Sequence, residues 1–143
     1  MSLPVTYWPI LKPPKIGQLF RAYLLGPMSP TPIATRLPSP DKDADTVNGF
    51  LRLEYGGGSK PNPFQYDVQC IMHGYSPDQN QAEEIANNAV ALASAAQGQT
   101  VNGWFVVGVS GVVVPHQLTD PDVILPRFRS SVTWRVVGQQ WNP

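Results

Sequence analysis

A strand, an alanine-rich helix with its start signals, and two further strands follow one another between Gln65 and Val137, and this order constrains the fold more than any other feature of the chain. In QYDVQCIMHG, Tyr66, Val68, Cys70 and Met72 alternate with Gln65, Asp67, Gln69 and His73, the period of a strand with one buried face. Ile71 alone interrupts it. SPDQ follows: Ser76 suits the N-cap, Pro77 the first helical position, and Gln79 the place from which a capping-box side chain reaches back. Ala82, Ile85, Ala86, Ala89, Leu92, Ala93 and Ala96 then recur at steps of three and four, with Glu83, Glu84, Asn87 and Asn88 on the other side and Gly98 as terminator. Alanine has little bulk to bury but lets backbones approach, so this helix is expected to lie tight against a sheet or a neighbouring subunit. GWFVVGVSGVVV and RFRSSVTWRVVG, rich in β-branched and aromatic residues, predict two long strands.

Nine of the sixteen prolines precede Asp41, which predicts an irregular first third with one helical island. That island, KIGQLFRAYLLG, carries an apolar stripe of Ile16, Leu19, Phe20, Tyr23 and Leu24, with Pro13 and Pro14 before it and Gly26 and Pro27 after it. IATRLP predicts a short edge strand over Ile33 to Leu37, closed by Pro38. Asp41 to Asn48 is polar and loop-like. FLRLEY predicts a strand with Leu51, Leu53 and Tyr55 on one face and Phe50, Arg52 and Glu54 on the other, and GGGSKPNP a flexible loop that closes a wide hairpin. These elements add up to an α+β fold, a mostly antiparallel sheet of four to five strands flanked by two helices. The expected division is an extended arm over 1–13, one domain over 14–138 and a tail over 139–143.

A chain of 143 residues is the size of one domain and long enough to bury roughly 70% of its unfolded surface without a metal or disulfide. Ten basic and ten acidic side chains spread along it give no broad electrostatic footprint for nucleic acid or anionic membrane. One cysteine excludes an internal disulfide and fits a reducing compartment. No run approaches the length of a membrane span, and the N-terminus, interrupted by Pro4, Pro9, Pro13 and Pro14, lacks the basic start and apolar core of a signal peptide. A cytoplasmic site of synthesis and no membrane partner are expected.

Few residues invite chemistry. Asp41, Asp43 and Asp45 have the spacing that opens a calcium loop, but Thr46 stands where the turn glycine belongs and Arg52 where the bidentate glutamate belongs, so a solvated loop is expected. GGGSK lacks phosphate-loop spacing, and Lys60 precedes a proline rather than a helix with free amides. Cys70 and His73, three apart on a strand, point to opposite faces and cannot chelate one metal; Cys70 is expected to be a buried, inert thiol. His116 is expected in a loop after Pro115. Asp120 and Asp122 flank Pro121 in a turn where hydration keeps carboxylates ordinary. Arg127, Arg129 and Arg135 share one face of the last strand, which reads either as a solvated sheet face or as a surface for an acidic partner. Trp104 and Trp134 are expected in the core, whereas Trp8 and Trp141 sit in segments that cannot build one and are candidates for docking into a neighbouring chain. No catalytic, cofactor-binding or metal-ligating residue is assigned.

IATRLP, FLRLEYGG, the strand QYDVQCIMHG leading into SPDQNQAEEIANNAVALASA, and the closing LTDPDVILPRFRSSVTWRVVG together give a pattern that resembles the tail terminator, or tail completion, proteins of long-tailed bacteriophages. The resemblance implies an α+β subunit that assembles as a hexameric ring, caps the finished tail tube, ends its polymerisation and joins it to the head connector. It implies no cofactor and a place in the neck of the virion after assembly in the host cytoplasm; the lack of the usual catalytic motifs gives the expectation that the chain is not an enzyme. The partners it implies are the tail tube protein and a head-completion or connector protein, with DNA only passing through the lumen. Trp8, Lys60, Asp120, Asp122, Arg127, Arg129 and Trp141 are the interface candidates. Another neck component is the alternative, and a small ligand-binding or enzymatic domain the alternative from a different class. The proline-rich N-terminus and the GGGSKPNP segment depart from the family pattern.

Overall fold

The computed structural model describes residues 10–35, 49–118 and 125–141. It is an α+β fold. In chain order the elements are β1 (Leu11–Lys12), α1 (Ile16–Leu24), β2 (Ile33–Ala34), β3 (Phe50–Asn62), β4 (Gln65–Tyr75), α2 (Gln79–Ser94), β5 (Thr100–Val101), β6 (Trp104–Leu118), β7 (Arg127–Val137) and β8 (Gln139–Gln140). Among the described residues a six-stranded sheet runs in the order β2-β3-β4-β7-β6-β5, and β1 pairs with β8 in a separate ribbon. The sheet is mixed rather than wholly antiparallel, because β2 runs parallel to β3 while every other pair is antiparallel. The expected four to five strands become six because β5, only two residues long, escapes a reading based on alternation.

The two-residue period of β4 and β7 puts Val68, Cys70, Met72, Val132, Trp134 and Val136 on one face, where α1 and α2 cover them together with Leu51 and Leu53 of β3. Alternation predicted this face. The stripe of α1 also behaves as expected, with Leu19, Phe20 and Leu24 buried and Ile16 and Tyr23 packed at the margin. On α2 the alanine stripe packs on the chain's own sheet, and Val90 joins it. Small side chains allow close contact there: a Cβ on Gly74 of β4 would lie 2.5 Å from the carbonyl oxygen of Ala82.

Trp134 organises the centre. Its ring stacks on Phe20 at 3.9 Å, meets Tyr23 edge-on at 5.2 Å, and its indole N–H donates to the Ala93 carbonyl at 2.9 Å. Tyr23 donates its hydroxyl to the Leu92 carbonyl at 2.6 Å, so side chains from β7 and α1 both satisfy carbonyls in the last turn of α2. Trp104, expected in the core, is only partly buried at its edge.

Several local expectations need correction. GGGSKPNP is not a wide loop, since β3 continues through it to Asn62 and only Pro63 and Phe64 form the turn. Register shifts at Tyr55/Gly57 and Ser59/Asn62 absorb the extra residues, and Gly57 takes φ +77°. Lys60 and Pro61 fall within the second shift, on the part of β3 that runs past β2 and has no outer neighbour among the described residues, so a missing N–H costs nothing. Asn62 closes the turn by accepting from the Phe64 N–H at 3.0 Å. The N-cap of α2 is Asp78, whose side chain accepts from the Asn80 N–H at 3.1 Å. Ser76 instead accepts from the Asp78 N–H and donates to Gln81 at 2.8 Å, so Gln81 rather than Gln79 reaches back. His116 lies in β6 opposite Arg129, not in a loop. Of the predicted edge strand, Ile33 and Ala34 form β2, and residues 36–37 fall outside the described residues.

Candidate functional site

Alternation that buries one face of β4 and β7 turns Asp67, Gln69, Ile71, His73 and Tyr75, with Arg127, Arg129, Ser131, Thr133 and Arg135, to the other. Phe50, Arg52 and Glu54 of β3 join them, since Arg52 pairs with His73 and Phe50 with Tyr75. Both helices lie on the opposite side. At one end of this face the register gathers Arg52, Glu54, His73, Tyr75, Arg127 and Arg129 into a single cluster.

His73 is its centre. The side chain is 3% exposed, and Nε2 stands 2.7 Å from Oε2 of Glu54. Burial pushes His73 below its ordinary value, against the upward pull of the Glu54 hydrogen bond. Glu54 is held below its own ordinary value chiefly by that bond, with smaller help from His73, Arg52 and Arg129. The two shifts agree on a neutral imidazole beside an ionised carboxylate. An ionised carboxylate only accepts, so Nε2 carries the proton and Nδ1 is left as a lone pair, with no partner among the described residues. Tyr75 stacks on Phe50 at 4.7 Å and accepts long hydrogen bonds from Arg52 at 3.4 Å and Arg127 at 3.5 Å. Guanidiniums at half-buried positions around one carboxylate suit recognition of an anionic surface.

The predicted site residues divide. Arg127 and Arg129 belong to this cluster, whereas Arg135, further along the same face, is engaged by Asp67 in a two-point ion pair at 2.8 and 3.1 Å. Lys60 sits 5.3 Å from the centroid of the Tyr66 ring, beside a groove of about 350 Å³ lined by Pro13, Pro14, Ile16, Gly58 and Val68. Trp141 is 41% exposed, and its backbone N–H donates to the Ile10 carbonyl at 2.8 Å. Trp8, Asp120 and Asp122 lie outside the described residues, as do Asp41, Asp43 and Asp45. Cys70 is buried on the helix-covered face, where burial pushes its thiol up to about 12, and it faces away from His73. Arg52, Glu54 and Tyr75 escaped sequence reasoning as site residues, although the alternation in FLRLEY already put Arg52 and Glu54 on one face.

Two apolar surfaces stand apart from the cluster. Ile10, Phe64, Val137 and Trp141 are exposed where the β1–β8 ribbon meets the β3–β4 turn, tied by the Gly138 N–H to the Phe64 carbonyl at 2.8 Å. Val112, Val113 and Val114 are exposed on β6, Val114 at 71%, next to register shifts that push consecutive residues outward. Among the described residues no three His, Cys, Asp or Glu side chains gather to hold a metal ion, and no helix is long and apolar enough to cross a membrane.

Comparison with protein-family models gives no match, and no curated protein compared with the chain matches it.

Proposed function

We propose that this chain is a structural virion protein, a phage tail terminator whose copies close into a hexameric ring that caps the tail tube, ends its polymerisation and joins it to the head connector. The observation that carries this reading is the pairing of two separate apolar surfaces on one small layer. Val113 stands opposite Ser131 on β7, and Val137 ends the same strand, so the patches lie roughly 20 Å apart along the sheet. Distinct surfaces on one subunit make head-to-tail contacts, and head-to-tail contacts that close make rings. The resemblance of the sequence to tail terminators is in line with the same reading. The ends of the chain, which include Trp8 and Trp141, reach the adjacent subunit; Lys60 and the segment around Asp120 and Asp122 meet the tube or the connector. DNA passes through the lumen without a dedicated site.

Electron microscopy of particles assembled without this protein tests the reading. Overlong tail tubes are expected. Tails of normal length beside leaking heads would assign the chain to another neck component, and particles indistinguishable from the wild type would remove it from the neck altogether.

A further inference from the structure

Gly74 marks a point of close approach between the helix layer and the sheet. A Cβ there would meet the Ala82 carbonyl oxygen at 2.5 Å and the Ala86 amide nitrogen at 2.9 Å, so the first half of α2 rests directly on β4. Between those two alanines, Glu83 and Glu84 point away from the sheet and are exposed. On either side of Gly74, His73 and Tyr75 project from the opposite face, and their cross-strand partners are Arg52, Arg127 and Arg129. The same spot on the layer is therefore acidic above and basic below. A formal net charge of zero conceals this separation.

Asp67 is matched by Arg135, and Asp78 caps α2. Glu54, hydrogen-bonded to the neutral His73, is the one carboxylate among Arg52, Arg127 and Arg129, so the cluster keeps an excess of positive charge. Glu83 and Glu84 make no hydrogen bond or ion pair among the described residues, and Arg52 and Arg129 are held in no ion pair there.

We infer that the partly exposed Arg52–Arg129 edge of the sheet face in one copy receives the Glu83–Glu84 face of α2 from the next copy, so that successive subunits meet helix layer to sheet layer around the ring. The partner is a second copy of this chain, because the chain itself carries the matching charge on its opposite side. A two-fold dimer through either face would set like charges against each other, which electrostatic complementarity disfavours. The contact joins two different surfaces, and only such a contact propagates around a ring. This assignment rests on the ring reading above and adds a charged contact to the two apolar patches.

Charge exchange tests it on the full chain. Light scattering and sedimentation of the wild type should show assembly that weakens as salt is raised, since these charges meet near the surface. Glu83→Lys with Glu84→Lys should weaken association by about tenfold or more while leaving the thermal midpoint close to the wild type, because both side chains are exposed. Arg52→Glu with Arg129→Glu should likewise weaken association, read at a temperature where that chain stays folded. An equal mixture of the two double variants should recover assembly to within about threefold of the wild type, as an alternating ring that closes only with an even number of subunits. If the added carboxylates crowd Glu54 and that chain does not fold, Arg52→Gln with Arg129→Gln replaces it and should likewise weaken assembly. A Glu83→Lys, Glu84→Lys chain that assembles as tightly as the wild type overturns the assigned faces and leaves the ring intact. A wild-type chain that stays monomeric at every concentration overturns both.

Discussion

His73 and Glu54 meet across the β3–β4 pair, with imidazole Nε2 2.7 Å from carboxylate Oε2 in a place where the histidine is almost wholly buried. The pair makes the fold sensitive to acid. Burial lowers the folded-state pKa of His73 below its ordinary 6.5, so the unfolded chain takes up that proton first, and stability falls as pH drops through 6.5 toward the lowered value. Glu54 works in the same direction lower down: its folded pKa lies below its ordinary 4.5, and the stability it contributes above 4.5 is lost as pH falls through that lowered value. Urea midpoints measured from neutral pH down past these two values should fall in two stages. In His73→Gln the upper stage should disappear and the lower one shrink, and a wild-type midpoint that stays flat below 6.5 would remove the buried neutral histidine from the account.

Gly74 is fixed by contact rather than by backbone angle. The atoms a Cβ would strike are the Ala82 carbonyl and the Ala86 amide, and backbone in mid-helix cannot move aside as a long side chain can. Gly74→Ala should therefore destabilise by about 1–3 kcal/mol, with Gly74→Val worse, as α2 is lifted from β4. Denaturant unfolding checks the size, and an alanine variant as stable as the wild type would show that the helix slides without cost.

Cys70 should be silent in the folded chain. Its side chain is fully buried, and the thiol, pushed up to about 12 by burial, supplies almost no thiolate at neutral pH. Alkylation of the native protein should run at least about a thousandfold slower than in denaturant, because only opened molecules react. Rapid labelling under native conditions would contradict the packing of β4 beneath the helices.

Period-two alternation made the two faces of β4 and β7 legible, and with them the helix-covered core and the arginine face. What alternation does not carry is register. Arg127, Arg129 and Arg135 are equivalent by spacing, yet only Arg135 is opposite Asp67, a residue 68 positions away. GGGSKPNP looked like a loop because glycine and proline disfavour regular strands, and bulges on the part of β3 that runs past β2 tolerate both. Three neighbouring residues, Ser76, Pro77 and Asp78, each carry a helix-start signal, and local chemistry alone does not choose among them. One available signal went unused. Asn102 and Gly103 take φ +50° and +85°, the positive pair an Asn-Gly hairpin turn requires, and they would have announced β5.

The end of α2 gives the most direct test of how the layers are joined. Its last-turn carbonyls at Leu92 and Ala93 accept from Ala95 and Ala96 amides and also from Tyr23 and Trp134, which reach in from α1 and β7. Those carbonyls are helix-end acceptors, and the two aromatic donors tie helix, helix and strand at one point. Trp134→Phe keeps a ring against Phe20 but leaves the Ala93 carbonyl without its indole partner, and should cost about 1–3 kcal/mol. Trp134→Ala also opens a cavity and should cost about 3–5 kcal/mol. Tyr23→Phe removes only the hydroxyl, from a site where burial already raises its pKa, and should cost less than either. The two conservative changes touch neighbouring carbonyls in one turn, so their effects should not add: hydrogen exchange at Ala95 and Ala96 should quicken in each single variant, and the double variant should lose less stability than the sum. Strict additivity would mean that the two donors hold α2 independently.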